Sequence, residues 1–235
     1  DCGKFEDAIK WYKITLSQDN WAQEKYVSCL YIYDCYCNLG QKEHGFYYLV
    51  EASSYDNERV ECLYPLLVHY CCTDKNNIAY NYYLVVKDYF ENRFLKTNMD
   101  KKLFYQQDKA NFFVPYYMIL IADSNKNKSQ DFECIIKMFE IIFTKKQKHI
   151  DTWYIKNLLY NLQFFIKYVK ETNHKYFIEL TNNYLNFLLE NGSPLDTFDF
   201  LKNYSNYGIN TDCIFKHLEK VTNRDICKFS KEICE

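Results

Sequence analysis

Apolar residues return every three or four positions along most of this chain, and no stretch alternates apolar and polar residues for long. That period predicts helices rather than strands. The pattern also repeats. "KYVSCLYIYDCYCNLGQKEHGFYYLVEA" superposes on "RVECLYPLLVHYCCTDKNNIAYNYYLVV" at an offset of 34 residues, with Cys29 on Leu63, Ile32 on Leu66, Tyr36 on Tyr70, Gly45 on Ala79, Leu49 on Tyr83 and Ala52 on Val86. A truncated copy, "GKFEDAIKWYKITL", lies 37 residues before the first of these, placing Gly3 on Gly40, Ala8 on Gly45 and Tyr12 on Leu49.

Two antiparallel helices approach closely only where one side chain at the crossing is small, so Ala8, Gly45 and Ala79 mark the crossings. Tyr12, Tyr36, Tyr70 and Tyr83 fill the space beside them. Gly40 ends one helix in the left-handed turn that glycine tolerates best. A 34-residue helix-turn-helix unit of this spacing resembles the tetratricopeptide repeat, with "GKFEDAIKWYKITL" matching its second helix. The fold expected is all-α: a right-handed solenoid of antiparallel helix pairs, tetratricopeptide-like over 1–90. Helix pairs of weaker periodicity continue it over 91–192, and capping helices close it over 193–235.

Within the later part, "DKANFFVPYYMILIADSN" predicts a helix with Pro115 in its first turn. "DFECIIKMFEIIFTKK" predicts a strongly apolar helix, and "DTWYIKNLLYNLQFFIKYVKE" a long one capped by Asp151. "HKYFIELTNNYLNFLLENG" pairs with the latter. "SPLDTFDFLKNY" starts with Ser193 as cap and Pro194 at the first helical position, and short helices follow near 211–221 and 224–233.

Composition narrows the function. Apolar residues make 48% of the 235 positions, enough for a packed core. The net charge of -2 lacks the basic excess of a nucleic-acid binder, and "TKKQKH" at 144–149 reads as a solvated turn. No apolar run approaches the length of a membrane span. Most of the eleven cysteines fall inside apolar helical runs, where free thiols act as small hydrophobes. A reducing compartment, the cytoplasm, is therefore expected. An excess of Asn, Lys, Ile, Tyr and Phe is what AT-rich codons supply, as in the genome of a protist or a large DNA virus; for a virus the compartment would be the host cytoplasm.

No catalytic motif emerges. The five histidines form no HExxH pair, and there is no Cys-x-x-Cys. The cluster of Cys62, His69, Cys71 and Cys72 reads as helix packing rather than a zinc site. Asp196 and Asp199 sit where acidic residues favour a helix start. No cofactor, metal or catalytic residue is assigned. The repeat surface remains: in such arrays the first helix of each pair lines a concave groove in which a protein or peptide lies. In this register Asp34, Asn38, Glu61, Tyr64 and Val68 face the groove.

A narrower resemblance covers the first 120 residues. "DCGKFEDAIKWYKITLSQDNWAQEKYVSCLYIYDCYCNLGQ", "YDNERVECLYPLLVHY", "NIAYNYYLVVKD" and "KKLFYQQDKANFFVPYYMILIA" are similar to the helical-repeat region that follows the catalytic domain in family-2-like glycosyltransferases. The resemblance implies an upstream transferase domain whose Asp-x-Asp motif holds a divalent metal and the nucleotide-sugar diphosphate. This chain contains no Asp-x-Asp, so no catalytic residue carries over. It opens with Asp1 in mid-repeat, which suits a piece of a longer enzyme. The partner would then be a protein in the groove or the catalytic domain of the same polypeptide, with no nucleic acid and no membrane. The alternative is a stand-alone repeat adaptor.

Overall fold

The computed structural model describes residues 3–19, 21–94, 98, 101–124, 128–144 and 150–166. Their regular structure is all helical, with no strand among the described residues. The helices are α1 (Phe5–Ser17), α2 (Ala22–Asn38), α3 (Phe46–Tyr55), α4 (Tyr64–Cys72), α5 (Asn76–Asn92), α6 (Val114–Ser124), α7 (Lys128–Thr144) and α8 (Thr152–Ile166). Short 3-10 turns, Lys42–Gly45 and Glu61–Leu63, lead into α3 and α4. The helices expected beyond 166, with Ser193, Pro194 and the caps over 193–235, lie outside the described residues. The chain divides into two compact units, Asp1–Ile121 and Ala122–Glu235.

In the first unit α2 is central, packed by α1 and α3, while α4 pairs with α5. The repeat is written in the backbone as well as in the sequence. Gly3, Gly40 and Asp74 hold φ of 70°, 71° and 54°, and they occupy equivalent positions of the three copies. The next residues, Lys4, Gln41 and Lys75, share the same bent conformation before the following helix. After Gly40 the amide of Gln41 donates to the carbonyl of Tyr36 (2.8 Å); after Asp74 the amide of Lys75 donates to that of Tyr70 (3.1 Å). Both are the long-range bond of a Schellman ending, and they tie down the two repeat-equivalent tyrosines.

Asp74 adopts a left-handed conformation that costs a side-chain-bearing residue about 1–2 kcal/mol. Asp74→Gly is accordingly expected to raise stability by about 0.5–1 kcal/mol, after the loss to unfolded-state entropy. Gly40→Ala should lower it by about 1–2 kcal/mol. Urea midpoints of the two variants check this. A loss on Asp74→Gly would mean that the carboxylate contributes more than the turn costs.

Small residues sit at the crossings, as their spacing predicts. Gly45 is buried against α2, and a Cβ added there would stand 2.9 Å from Cδ2 and 3.0 Å from Cα of Tyr33. Ala79 is fully buried, as are Leu49 and Tyr83 one helical turn on. Ala8 and Tyr12 pack with Ile9, Ile32, Cys35 and Tyr36 between α1 and α2.

Pro115 is the second residue of α6, but helical residues precede it, and Lys109–Phe113 forms a π turn. Proline cannot donate to the carbonyl four residues back, here that of Asn111, and its ring crowds that carbonyl. The wider turn absorbs the misfit. In the second unit Asp151 caps α8 as expected, its Oδ1 accepting from the Trp153 amide at 2.8 Å. Phe139 of α7 meets Phe165 of α8 edge-on, with centroids 6.4 Å apart.

A polar network buried beneath the first unit fixes the segment after α5. Arg59 and Glu61 have fully buried side chains. Arg59 Nε and Nη2 both donate to Glu61 Oε1, at 2.9 and 2.7 Å. Its Nη1 donates to Gln23 Oε1 (3.0 Å) and to the Leu103 carbonyl (2.8 Å). The guanidinium lies 3.9 Å above the Tyr26 ring centroid. Glu61 Oε2 accepts from the Val60 amide and the Tyr26 hydroxyl, and that hydroxyl accepts from the Cys62 amide. At the rim Lys102 Nζ bridges Asp56 (2.9 Å) and Glu58 (2.6 Å), while Gln23 donates to Asp56. Burial alone would lower the Lys102 ammonium, but its hydrogen bonds to Glu58 and Asp56 prevail and raise it.

Candidate partner-binding face

The last two turns of α2 expose Tyr31, Asp34 and Asn38, spaced three and four residues apart and so on one helix face. Asn38 donates to the Asp34 carbonyl at 2.8 Å and is thereby held along that face. On α4, Tyr64 and Val68 are half-buried and one turn apart. Tyr64 packs against rings of the π turn and α6, Phe113 at 5.6 Å and Tyr117 at 5.9 Å.

Lys109, on the π turn, completes the group. Its Nζ stands 5.6 Å from the Tyr64 ring centroid. Partial burial raises the Asp34 carboxyl, and the Lys109 ammonium acts in the opposite direction. Burial likewise raises the Tyr33 hydroxyl, which bonds to Cys37 and lies within electrostatic reach of Asp34 and Tyr64. Residues from α2, α4 and the segment leading into α6 thus meet as a surface of rings carrying one anion and one cation. Such a surface can hold an extended chain, through aromatic contact and charge.

Of the five residues expected there, Asp34, Asn38, Tyr64 and Val68 retain solvent access. Glu61 does not, and its placement is corrected: its carboxylate faces inward, closed off by Arg59 and Tyr26. A carboxylate leaves water only when paired and hydrogen-bonded, and both conditions hold here. Tyr33, Lys109, Phe113 and Tyr117 were not anticipated. The repeat register that located the others fades near residue 90, so nothing in the spacing pointed to Lys109.

Cys29, Cys62 and Cys71 are poorly placed for nucleophilic chemistry. Burial raises Cys29, pushes Cys62 up to about 12 and Cys71 up to about 11, so all three stay protonated near neutrality. His69 packs edge-on against the rings of Phe46 and Tyr70. The described cysteines are all free, and no group of three or more His, Cys, Asp or Glu among the described residues could hold a metal ion. A chelator is expected to leave far-UV helicity and the urea midpoint unchanged. A large loss of helicity would restore the reading of Cys62, His69, Cys71 and Cys72 as a metal site. No helix among the described residues is long and apolar enough to cross a membrane.

Comparison with known proteins finds no matching family model, no matching curated protein and no matching solved structure.

Proposed function

We propose that this chain is a non-catalytic helical-repeat scaffold, a right-handed solenoid of antiparallel helix pairs whose inner face holds a protein partner. The observation that carries the reading is the convergence of Asp34, Tyr64 and Lys109, from α2, α4 and the π turn before α6, on one aromatic and oppositely charged surface. The resemblance of the first 120 residues to glycosyltransferase repeat regions supplies the context. The scaffold would be the accessory portion of a larger glycosyltransferase, buttressing its catalytic domain or holding the acceptor. A stand-alone adaptor is the alternative.

Two experiments test this. Intact mass of the native polypeptide, with sequence read upstream of Asp1, decides the context. An upstream nucleotide-sugar domain with Asp-x-Asp supports the accessory role, whereas a native chain starting within a few tens of residues of Asp1 leaves the adaptor. For the face itself, peptides selected from a random library on the wild-type protein are titrated against Tyr64→Ala and Lys109→Glu. Each substitution should weaken binding about tenfold, the loss of one central aromatic or charged contact. Lys10→Ala, on the exposed side of α1, should not. Peptides indifferent to both face variants would refute the assignment, with circular dichroism showing that the variants are folded.

A further inference from the structure

The turn end of α2 and α4 carries a second feature, separate from the aromatic face. Gly40, Gln41, Lys42, Glu43, His44 and His69 line an open cleft of about 400 Å³, within the size range of small-ligand sites. One repeat supplies the Schellman turn and the 3-10 turn Lys42–Gly45. The next supplies His69, from the last turn of α4. The cleft therefore exists only because consecutive repeats stack.

Aromatic rings hold both imidazoles. His69 is wedged edge-on between Phe46 (4.8 Å) and Tyr70 (5.0 Å). His44 stands edge-on to Tyr36 at 5.9 Å, its Nδ1 3.3 Å from Gln41 Oε1. Tyr36 and Tyr70 are the repeat-equivalent tyrosines, so both histidines lean on the same structural position of successive repeats. Neither Lys42 nor Lys75 forms an ion pair with a described residue; Lys75 only rests 6.0 Å from the Tyr70 ring.

The electrostatics lean one way. Burial lowers the His69 imidazolium, and Lys42 and Lys75 lower it further, opposed by Glu43. Around His69, the turn before α3 presents Lys42, Glu43 and His44. The α4–α5 connection presents Lys75, while its Asp74 acts on the Cys71 thiol. α3 presents the Phe46 ring. Two ammonium groups, Lys42 and Lys75, thus act on His69 against the Glu43 carboxylate, and His44 lines the same cleft.

We propose that this cleft binds an anionic group, a phosphate or a carboxylate, between His69, His44 and Lys42. Burial first, and the Lys42 and Lys75 charges after it, disfavour the His69 imidazolium; an anion in the cleft offsets them, so binding and protonation reinforce each other. By reciprocity the anion binds more tightly as pH falls through the His69 midpoint.

The test is an NMR titration of the histidine Cε1 protons from pH 5 to 8, in inorganic phosphate and in chloride at matched ionic strength. His44→Gln and His69→Gln assign the signals. Phosphate should raise the His69 midpoint by roughly 0.5–1 unit, equivalent to about three- to tenfold tighter binding to the protonated ring. Lys42→Ala should remove at least half of that shift, Glu43→Gln should enlarge it, and Lys10→Ala should leave it alone. Acetate and phosphoserine separate the sources: a shift with phosphate species alone assigns a phosphate site, and a shift with acetate as well assigns a general anion site. The proposal is overturned if His69 titrates identically in phosphate and chloride, or if all histidines move together. Tyr64→Ala should not affect the titration, so failure of the partner-binding face and failure of this cleft are separately visible.

Discussion

Arg59→Met is expected to cost about 3–5 kcal/mol, a large part of the roughly 5–15 kcal/mol that holds a typical domain together. The side chains of Arg59 and Glu61 are completely buried. Removing the guanidinium strands a fully buried carboxylate without its ion-pair partner. It also takes away the donors to Gln23 and to the Leu103 carbonyl, and with them the anchor of the segment after α5. Urea unfolding followed by circular dichroism should show the first transition moving to much lower denaturant. Arg59→Met combined with Glu61→Leu should lose less than Arg59→Met alone, because an apolar pair replaces an uncompensated charge. A single variant within about 0.5 kcal/mol of wild type, the usual range of surface substitutions, would show that water enters the network. Glu61→Lys would for the same reason damage the fold, and it cannot serve as a test of partner binding.

Gly45→Leu and Ala79→Leu are expected to cost about 1–3 kcal/mol each by overpacking, with Gly45 at the upper end. At Gly45 even a single carbon meets Cα of Tyr33 at 3.0 Å. A flexible side-chain tip could swing aside; a backbone atom cannot, so α3 has to move off α2. At Ala79 a leucine enters a fully buried position beside Tyr83. Thermal unfolding of the two variants is the measurement. Unchanged midpoints would show that the crossings are not where the repeat register puts them. The two positions lie in different helix pairs, so their costs should add to within about 0.5 kcal/mol.

The fold was largely legible because its determinants are local. A 3.6-residue apolar period writes each helix, a small residue recurs at each crossing, and a left-handed residue precedes each second helix. Gly3 and Gly40 carry that last signal openly. Asp74 carries it in disguise, and only its φ of 54° reveals the third equivalent turn. The π turn was not legible. Pro115 announces that the helix cannot run on undisturbed, but not whether it kinks, starts late or widens.

The candidate face was legible in part. Asp34, Asn38, Tyr64 and Val68 follow from helix periodicity and the repeat offset. Glu61 misleads because a charge ahead of a helix ordinarily faces water. What draws it inward is Tyr26, thirty-five residues earlier, together with Arg59 beside it. Lys109 reaches Tyr64 from a segment in which the period has already been lost.

By itself, then, the sequence determined that the described residues are helical, that a pattern recurs in the first unit, and which small residues are buried between helices, since these depend on spacing along one chain. Only the tertiary structure decided which charges lie inside and which remain available to a partner. It also decided that His44 and His69 of neighbouring repeats share a cleft. Burial, ion pairing and the sign of a local field depend on atoms brought together from distant parts of the chain, and no local pattern encodes them.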